Sequence, residues 1–394
     1  MHTDPETSTG WAGRVAAMAI IAAVGVSIIY VPQPIQTLAA DELGVPLAQS
    51  SAATVAVQAG YAIGVVFLVS LGDRLIPRRQ VSIQLTATAA AILIAAVAQD
   101  FTIFTVMMFV AGAAATVGQI LVSAALRLAP PEVRAHTAAV LLGSFLIGLF
   151  TVRTVLGTFA EVLGWRTVLV GAAGLVVACI PLTLRFAPRS RPPGAASYLA
   201  IIASIPGIIA ASRAVRLLTI THALGFSAFI SVWSMVTLYG VTELGLTVTQ
   251  TAAVGIAGLL GGAATIASAR LQGVLGTRRA LPISLGALIV GCVGIAAFTH
   301  SVPVVLVGLF LVSFGMSSSQ VSSQANALAS VEPAESGRAN TVFMATTFFA
   351  GAGATAIADM VMRWAGYAGV GVFALILALG SMTMALIAAG RKTV

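Results

Sequence analysis

The chain has 394 residues, of which 59% are hydrophobic and only 8% charged, with a formal net charge of +8. A soluble domain carries roughly 25% charged residues to cover its surface, so water is excluded as the main solvent. The arginines do not gather on one basic face, as nucleic-acid binding would require; they fall in short clusters between apolar runs, which is a topology signal.

A bilayer core of roughly 30 Å takes about 20 apolar residues per helix. Runs of that length predict an all-α integral membrane protein with spans 1 to 6 at 14–38, 48–71, 79–98, 101–127, 136–160 and 166–186. Spans 7 to 12 follow at 215–239, 247–269, 279–298, 302–326, 338–362 and 367–389. The first apolar run lacks a small-residue cleavage site and reads as a retained span rather than a removed signal peptide. Residues 1–13 and 390–394 are left as cytoplasmic tails, and 14–186 and 215–389 as two six-helix bundles. Between them, 187–214 carries Pro188, Pro192, Pro193 and Gly194, and its apolar middle is broken by Pro206. That pattern predicts a cytoplasmic linker with an interfacial helix. Cys179 and Cys292 lie inside apolar runs and read as packing residues rather than a disulfide or metal pair.

Orientation follows from the basic residues. A cytoplasmic N-terminus puts seventeen of the twenty on the inside, leaving Arg166 and Arg363 outside and Arg153 within a span. Both termini are therefore expected in the cytoplasm of a cell with this multi-pass protein in its plasma membrane. Asp41, Glu42, Asp100 and Glu243 fall in outer loops, and Trp165, Tyr239, Trp364 and Tyr367 fall where an outer aromatic belt would lie.

The halves repeat. At a constant spacing of 201, ELGVPLAQS from Glu42 faces ELGLTVTQT from Glu243; Gly60 meets Gly261, Arg78 meets Arg279, Phe109 meets Phe310 and Gln119 meets Gln320. Duplication of a six-helix unit predicts a pseudo-twofold axis, with the solute site near the midplane between halves that rock about it.

With six-plus-six duplication and a basic loop after span 2, the chain resembles the major facilitator superfamily along nearly its whole length. LGDRLIPRR at 71–79 is similar to that family's signature loop, although Val69 replaces its leading glycine and Ile76-Pro77 its usual Gly-Arg. The resemblance implies that Asp73 acts as an inner gate, with Arg74, Arg78 and Arg79 completing the loop; a plain topology-setting loop is the alternative. YVPQPIQ in span 1, GSFLIGLFTVRTVLGTFAEVLGWR through span 5 and SSSQVSSQANAL in span 10 resemble the drug and metabolite exporters, a drug:proton antiporter subgroup. Gly143, Gly148 and Gly157 resemble that subgroup's glycine-rich fifth helix, with plain close packing as the alternative. The family's fourth-helix arginine is missing, Met108 standing four residues before Gly112, so no proton coupling is carried over through it.

Polar residues within spans are costly and therefore informative. Pro32 and Pro34 bracket Gln33 and should break span 1. Tyr30 and Gln33 align with Ser231 and Ser234 at the 201 spacing, and all four are expected on the cavity wall, with interhelical hydrogen bonding as the alternative. In span 10, Ser313, Ser317, Gln320 and Gln324 stand at i, i+4, i+7 and i+11, on one face. Their counterparts in span 4 are Gly112, Thr116, Gln119 and Ser123, so two polar stripes are expected to face each other across the axis; interhelical hydrogen bonding is the alternative. Arg153, about 25 Å along span 5, either snorkels outward or forms an outer gate or anion contact. Asp359, about 31 Å along span 11, is expected at the outer surface, paired with Arg363 or carrying protons. His222 is either a packing residue or a proton carrier. Spans 1, 4, 7 and 10 contain no carboxylate, so neutral or anionic solutes fit better than dications.

There is no GxxxxGK loop, no Cys/His metal cluster and no nucleophile with a readable base, so an enzyme, a metal and a cofactor are not expected. The functional expectation is a monomeric secondary transporter, exporting small organic solutes with protons as the possible coupling ion. An importer on the same fold, or more distantly a channel or intramembrane enzyme, is the alternative.

Overall fold

A computed structural model describes residues 8–72, 74–130, 132–190, 207, 211–332 and 335–390. Among the described residues there is no strand, and eleven helices are long and apolar enough to cross a membrane. The expected linker helix and Asp73 lie outside the described residues.

Span 1 is helical from Ser8 to Ser27, passes through a 3-10 turn at Ile28–Tyr30 and restarts as Pro32–Glu42. Helix thus begins inside the expected 1–13 tail. The break has a local cause: Pro32 has no N–H for the carbonyl of Ile28, which instead accepts from Val31 at 3.2 Å. Span 2, Ala52–Gly64, widens into a π turn at Val65–Val69, and span 3, Pro77–Ala96, opens on a proline. Span 4 is Phe101–Ala114 and Val117–Leu128, parted at Ala115 and Thr116. Asp100 caps it, accepting from Thr102 N–H at 2.7 Å and Ile103 N–H at 3.1 Å. Those backbone bonds, Ile103 foremost, hold the Asp100 carboxyl below its usual range.

Span 5, Arg134–Leu163, and span 6, Trp165–Phe186, meet at Gly164. Span 7 is Arg213–Thr242, span 8 Val248–Ala253 and Gly255–Leu275, span 9 Thr277–Ala297 and span 10 Val302–Ala329. The last apolar stretch lies within Ser336–Ala389 and turns at Gly366, whose φ of 60° and ψ of −166° belong to a region that side chains exclude. Gly366 therefore separates spans 11 and 12.

Packing repeats at the spacing seen in the sequence. A Cβ on Gly60 would lie 2.1 Å from the Phe109 carbonyl oxygen, and one on Gly261 would lie 2.7 Å from that of Phe310. Spans 2 and 4, and likewise spans 8 and 10, approach backbone to backbone at register-equivalent positions. The acidic ends repeat as well. Glu42 accepts from Trp165 Nε1 at 2.6 Å and Arg166 Nε at 2.8 Å, while Glu243 accepts from the Tyr367 N–H at 2.7 Å. Each carboxylate ties the end of its half's first span to the start of its last. The bond from Arg166 is the main cause holding the Glu42 carboxyl below the usual range.

This corrects the expected aromatic belt. Trp165, Tyr239 and Tyr367 are buried, because their polar tips bond to Glu42, the Thr299 carbonyl and the Val232 carbonyl; only Trp364 is exposed, at 89%.

Candidate transport site

The two halves meet around Arg153. Its side chain is 1% exposed and donates to Gln33 Oε1 of span 1 and, at 3.1 Å, to Thr237 Oγ1 of span 7. The guanidinium also lies 5.2 Å over the Trp233 ring. Snorkelling is therefore overturned. Span 5 runs to Leu163, so Arg153 has ten residues beyond it, about 15 Å, and its head group turns inward between the halves.

A second polar thread crosses beside it. Thr54 Oγ1 donates to Gln36 Oε1 at 3.1 Å, Gln36 Nε2 to the Ser234 carbonyl at 3.2 Å, and Thr355 Oγ1 to Gln58 Oε1 at 3.0 Å. Ser234 and Thr355 share a hydrogen bond of 3.3 Å, so spans 1, 2, 7 and 11 form one connected chain. Below it, the rings of Tyr61 and Phe348 stand 4.4 Å apart.

Toward the end that carries Glu42 and Glu243, spans 5 and 8 close the interface. Glu161 accepts from the Val248 N–H at 2.5 Å and the Thr249 N–H at 3.2 Å, and Thr249 Oγ1 donates to the Thr158 carbonyl at 3.2 Å. The carboxylate sits where span 8 begins and its first N–H groups lack helical partners. Close approach needs small residues here: a Cβ on Gly157 would come within 2.6 Å of Ala252 Cβ, and one on Gly258 within 2.1 Å of Phe150. Gly148 instead packs on the Ala23 backbone of its own half, 2.2 Å from its carbonyl oxygen by the same construction.

The other expected site residues are placed as follows. Tyr30, Gln33, Ser231 and Ser234 are all buried; Gln33 accepts from Arg153, Ser234 accepts from Gln36 of span 1 through its carbonyl, and Ser231 Oγ lies 3.4 Å from the Ala354 carbonyl of span 11. Thr116 and Gln119 are buried and Ser123 half-buried along span 4; Ser313 and Ser317 are buried and Gln320 and Gln324 half-buried along span 10. Ser313 Oγ accepts from Trp233 Nε1 at 3.0 Å, and Gln324 Nε2 donates to Asn340 Oδ1 at 2.7 Å, both within the second half. The described hydrogen bonds across the halves run through spans 1, 2, 5, 7, 8 and 11 rather than between these two stripes.

Asp359 pairs with Arg363 one turn on, but it is 3% exposed rather than at the surface, since span 11 continues past it to Gly366. His222 lies away from the Arg153 cluster, stacked on Phe343 with centroids 4.9 Å apart, and neither ring nitrogen has a hydrogen-bond partner among the described residues. In the basic loop Arg74 and Arg78 are half-buried and Arg79 is exposed; the Arg78 N–H donates to the Pro188 carbonyl at 3.1 Å.

Trp233, Thr237, Gln58, Thr355 and Glu161 were missed by sequence reasoning. One signal was available: Thr237 stands 201 residues after Gln36, in the same register that pairs Gln33 with Ser234.

Comparison with known proteins places this geometry in context. The sequence model of the Major Facilitator Superfamily matches residues 15–356. A probable transporter of Streptomyces coelicolor is 30% identical over 358 residues, 90% of this chain and 82% of that protein. An uncharacterized transporter of Escherichia coli O157:H7 is 29% identical over 222 residues; the chain spans 56% of that relative's length. In fold, the chain is similar to a nucleoside transporter (TM-score 0.73, 14% identity, covering 96% of this chain and 99% of that one). It is also similar to a human organic anion transporter (TM-score 0.70, 15% identity, 97% and 100%).

Proposed function

The chain belongs to the Major Facilitator Superfamily, and from that membership we propose a secondary active transporter of small organic solutes working by alternating access. It is a transporter rather than an enzyme. Twelve spans form two six-helix bundles related by a pseudo-twofold axis, and the solute site lies between them, walled by Tyr30, Gln33, Ser231, Ser234 and the two polar stripes. Both termini face the cytoplasm across the plasma membrane, which makes the Glu161 end the outer one.

One observation carries this reading: a polar seam of individual hydrogen bonds runs between the halves beside their apolar contacts. Arg153, Gln36 and Gln58 each reach the other half through one hydrogen bond, Glu161 through two, and small-residue contacts lie beside them. The neutral bonds of Gln36 and Gln58 each contribute about 0.5–1.5 kcal/mol net and the charged ones of Arg153 and Glu161 about 1.5–3 kcal/mol, so a few solute contacts of the same kind suffice to shift the balance between closed and open outer ends. Export driven by protons is the favoured direction, on the resemblance of spans 1, 5 and 10 to exporters, and the protein acts as a monomer.

Proteoliposomes test this, with orientation read from an impermeant label on a single cysteine, Pro193→Cys, placed on the cytoplasmic side. Solute movement that follows an imposed pH gradient is expected. Ungated conductance, or flux indifferent to the gradient, contradicts coupled transport.

A further inference from the structure

Arg153 is a buried cation with no carboxylate partner among the described residues. Among the described residues, the buried or bonded acids are committed elsewhere: Glu42 to Arg166, Asp100 to the start of span 4, Glu161 to span 8, Glu243 to Tyr367, Glu335 to Arg338 and Asp359 to Arg363. Two neutral oxygens, of Gln33 and Thr237, are the acceptors Arg153 has among the described residues. Among the described residues its Nε has no hydrogen-bond partner, nor has Gln33 Nε2, nor the Tyr30 hydroxyl, and these three side chains are at most 1% exposed. Arg153 Nε and Gln33 Nε2 can only donate. The cluster therefore carries one positive charge and more donors than acceptors, in a place where an unpaired ion costs several kcal/mol. The Trp233 face offsets part of that cost.

What such a cluster lacks is an anion with two acceptor oxygens. We propose that Arg153, Gln33 and Tyr30 form the binding subsite for the carboxylate of a small organic monoanion, the solute of the transporter proposed above. The planar guanidinium matches a carboxylate fork to fork. Location supplies the coupling. Gln33 and Arg153 belong to the first half, whereas Thr237 and Trp233 belong to the second. Parting the halves at this end removes Thr237 and Trp233 from the guanidinium and leaves it, still held by Gln33, facing the opening. A carboxylate then takes the place of Thr237, and the halves reclose only after the anion has been enclosed or released. A dication meets the Arg153 charge and is repelled.

Binding tests this independently of flux, so a failed transport assay and a failed anion subsite are distinguishable. Full-length protein in nanodiscs at pH 7 is titrated with hexanoate and octanoate, and with hexanamide and octanamide, following tryptophan emission. Saturable quenching by the carboxylates is expected, absent with the amides and absent in Trp233→Phe. Arg153→Lys keeps the charge but loses the fork, so it should weaken the apparent Kd at least tenfold, and Arg153→Gln should abolish the response. Melting curves identify folded variants, and should Arg153→Gln fail to fold, Arg153→Lys decides. A purely structural arginine lowers the melting temperature and leaves Kd unchanged. An equal response to the amides, an unchanged Kd in the folded arginine variants, or no response of the wild type to either carboxylate overturns the proposal.

Discussion

Arg153 and His222 are both polar side chains buried in a membrane protein, and the structure treats them differently. Arg153 bridges the halves, while His222 lies flat against Phe343 with both nitrogens lacking hydrogen-bond partners among the described residues. An unsatisfied buried polar group costs about 1–3 kcal/mol, and an apolar group of similar shape avoids that cost. His222→Leu is therefore expected to match or exceed the wild-type melting temperature; a fall of several degrees would mean that the ring is held by a partner. The sequence marked both residues as unusual, because polar groups in apolar runs are conspicuous by composition alone. It could not rank them. Rank depends on what stands opposite, and Trp233 lies 80 positions from Arg153 and Phe343 lies 121 from His222, brought together only by the angles at which the spans cross.

Among the elements, the apolar runs were legible because a bilayer demands length and composition rather than a delicate pattern. The Pro32 break was legible for the same kind of reason, a missing donor that no context restores. Helix ends were less so: span 5 runs three residues past its expected end, to Leu163, and that extra turn changed the depth of Arg153. The aromatic belt failed because amphipathic rings suit a membrane interface or a buried polar partner equally well. Glycine spacing can be tested directly. Gly60→Ala puts a methyl 2.1 Å from the Phe109 carbonyl oxygen, and Gly261→Ala one 2.7 Å from that of Phe310. Overpacking costs roughly 1–3 kcal/mol, so both should lower the melting temperature, Gly60→Ala more. Gly171→Ala, with nothing within 4 Å, is the control; it should be neutral or stabilising by up to about 1 kcal/mol through helix propensity. Equal melting temperatures for all three variants would contradict the close packing of spans 2 and 4.

For the molecule as a whole, the duplication at a spacing of 201 pointed to two related halves but not to their conformation. A repeat fixes which residues are equivalent; it does not say at which end the halves are closed. The seam of Arg153, Gln58 and Glu161 supplies that, and its purpose in the proposed mechanism is to open. Thr154 and Gly255 measure it most directly, since a Cβ on Gly255 would stand 3.5 Å from Thr154 Cβ, at the near edge of the roughly 3.5–4.5 Å that a disulfide spans. In a Cys179→Ala, Cys292→Ala background, Thr154→Cys with Gly255→Cys should cross-link on oxidation. The locked protein should lose flux, and reduction should restore it in the same vesicles. Full flux from quantitatively cross-linked protein would contradict alternating access through this seam.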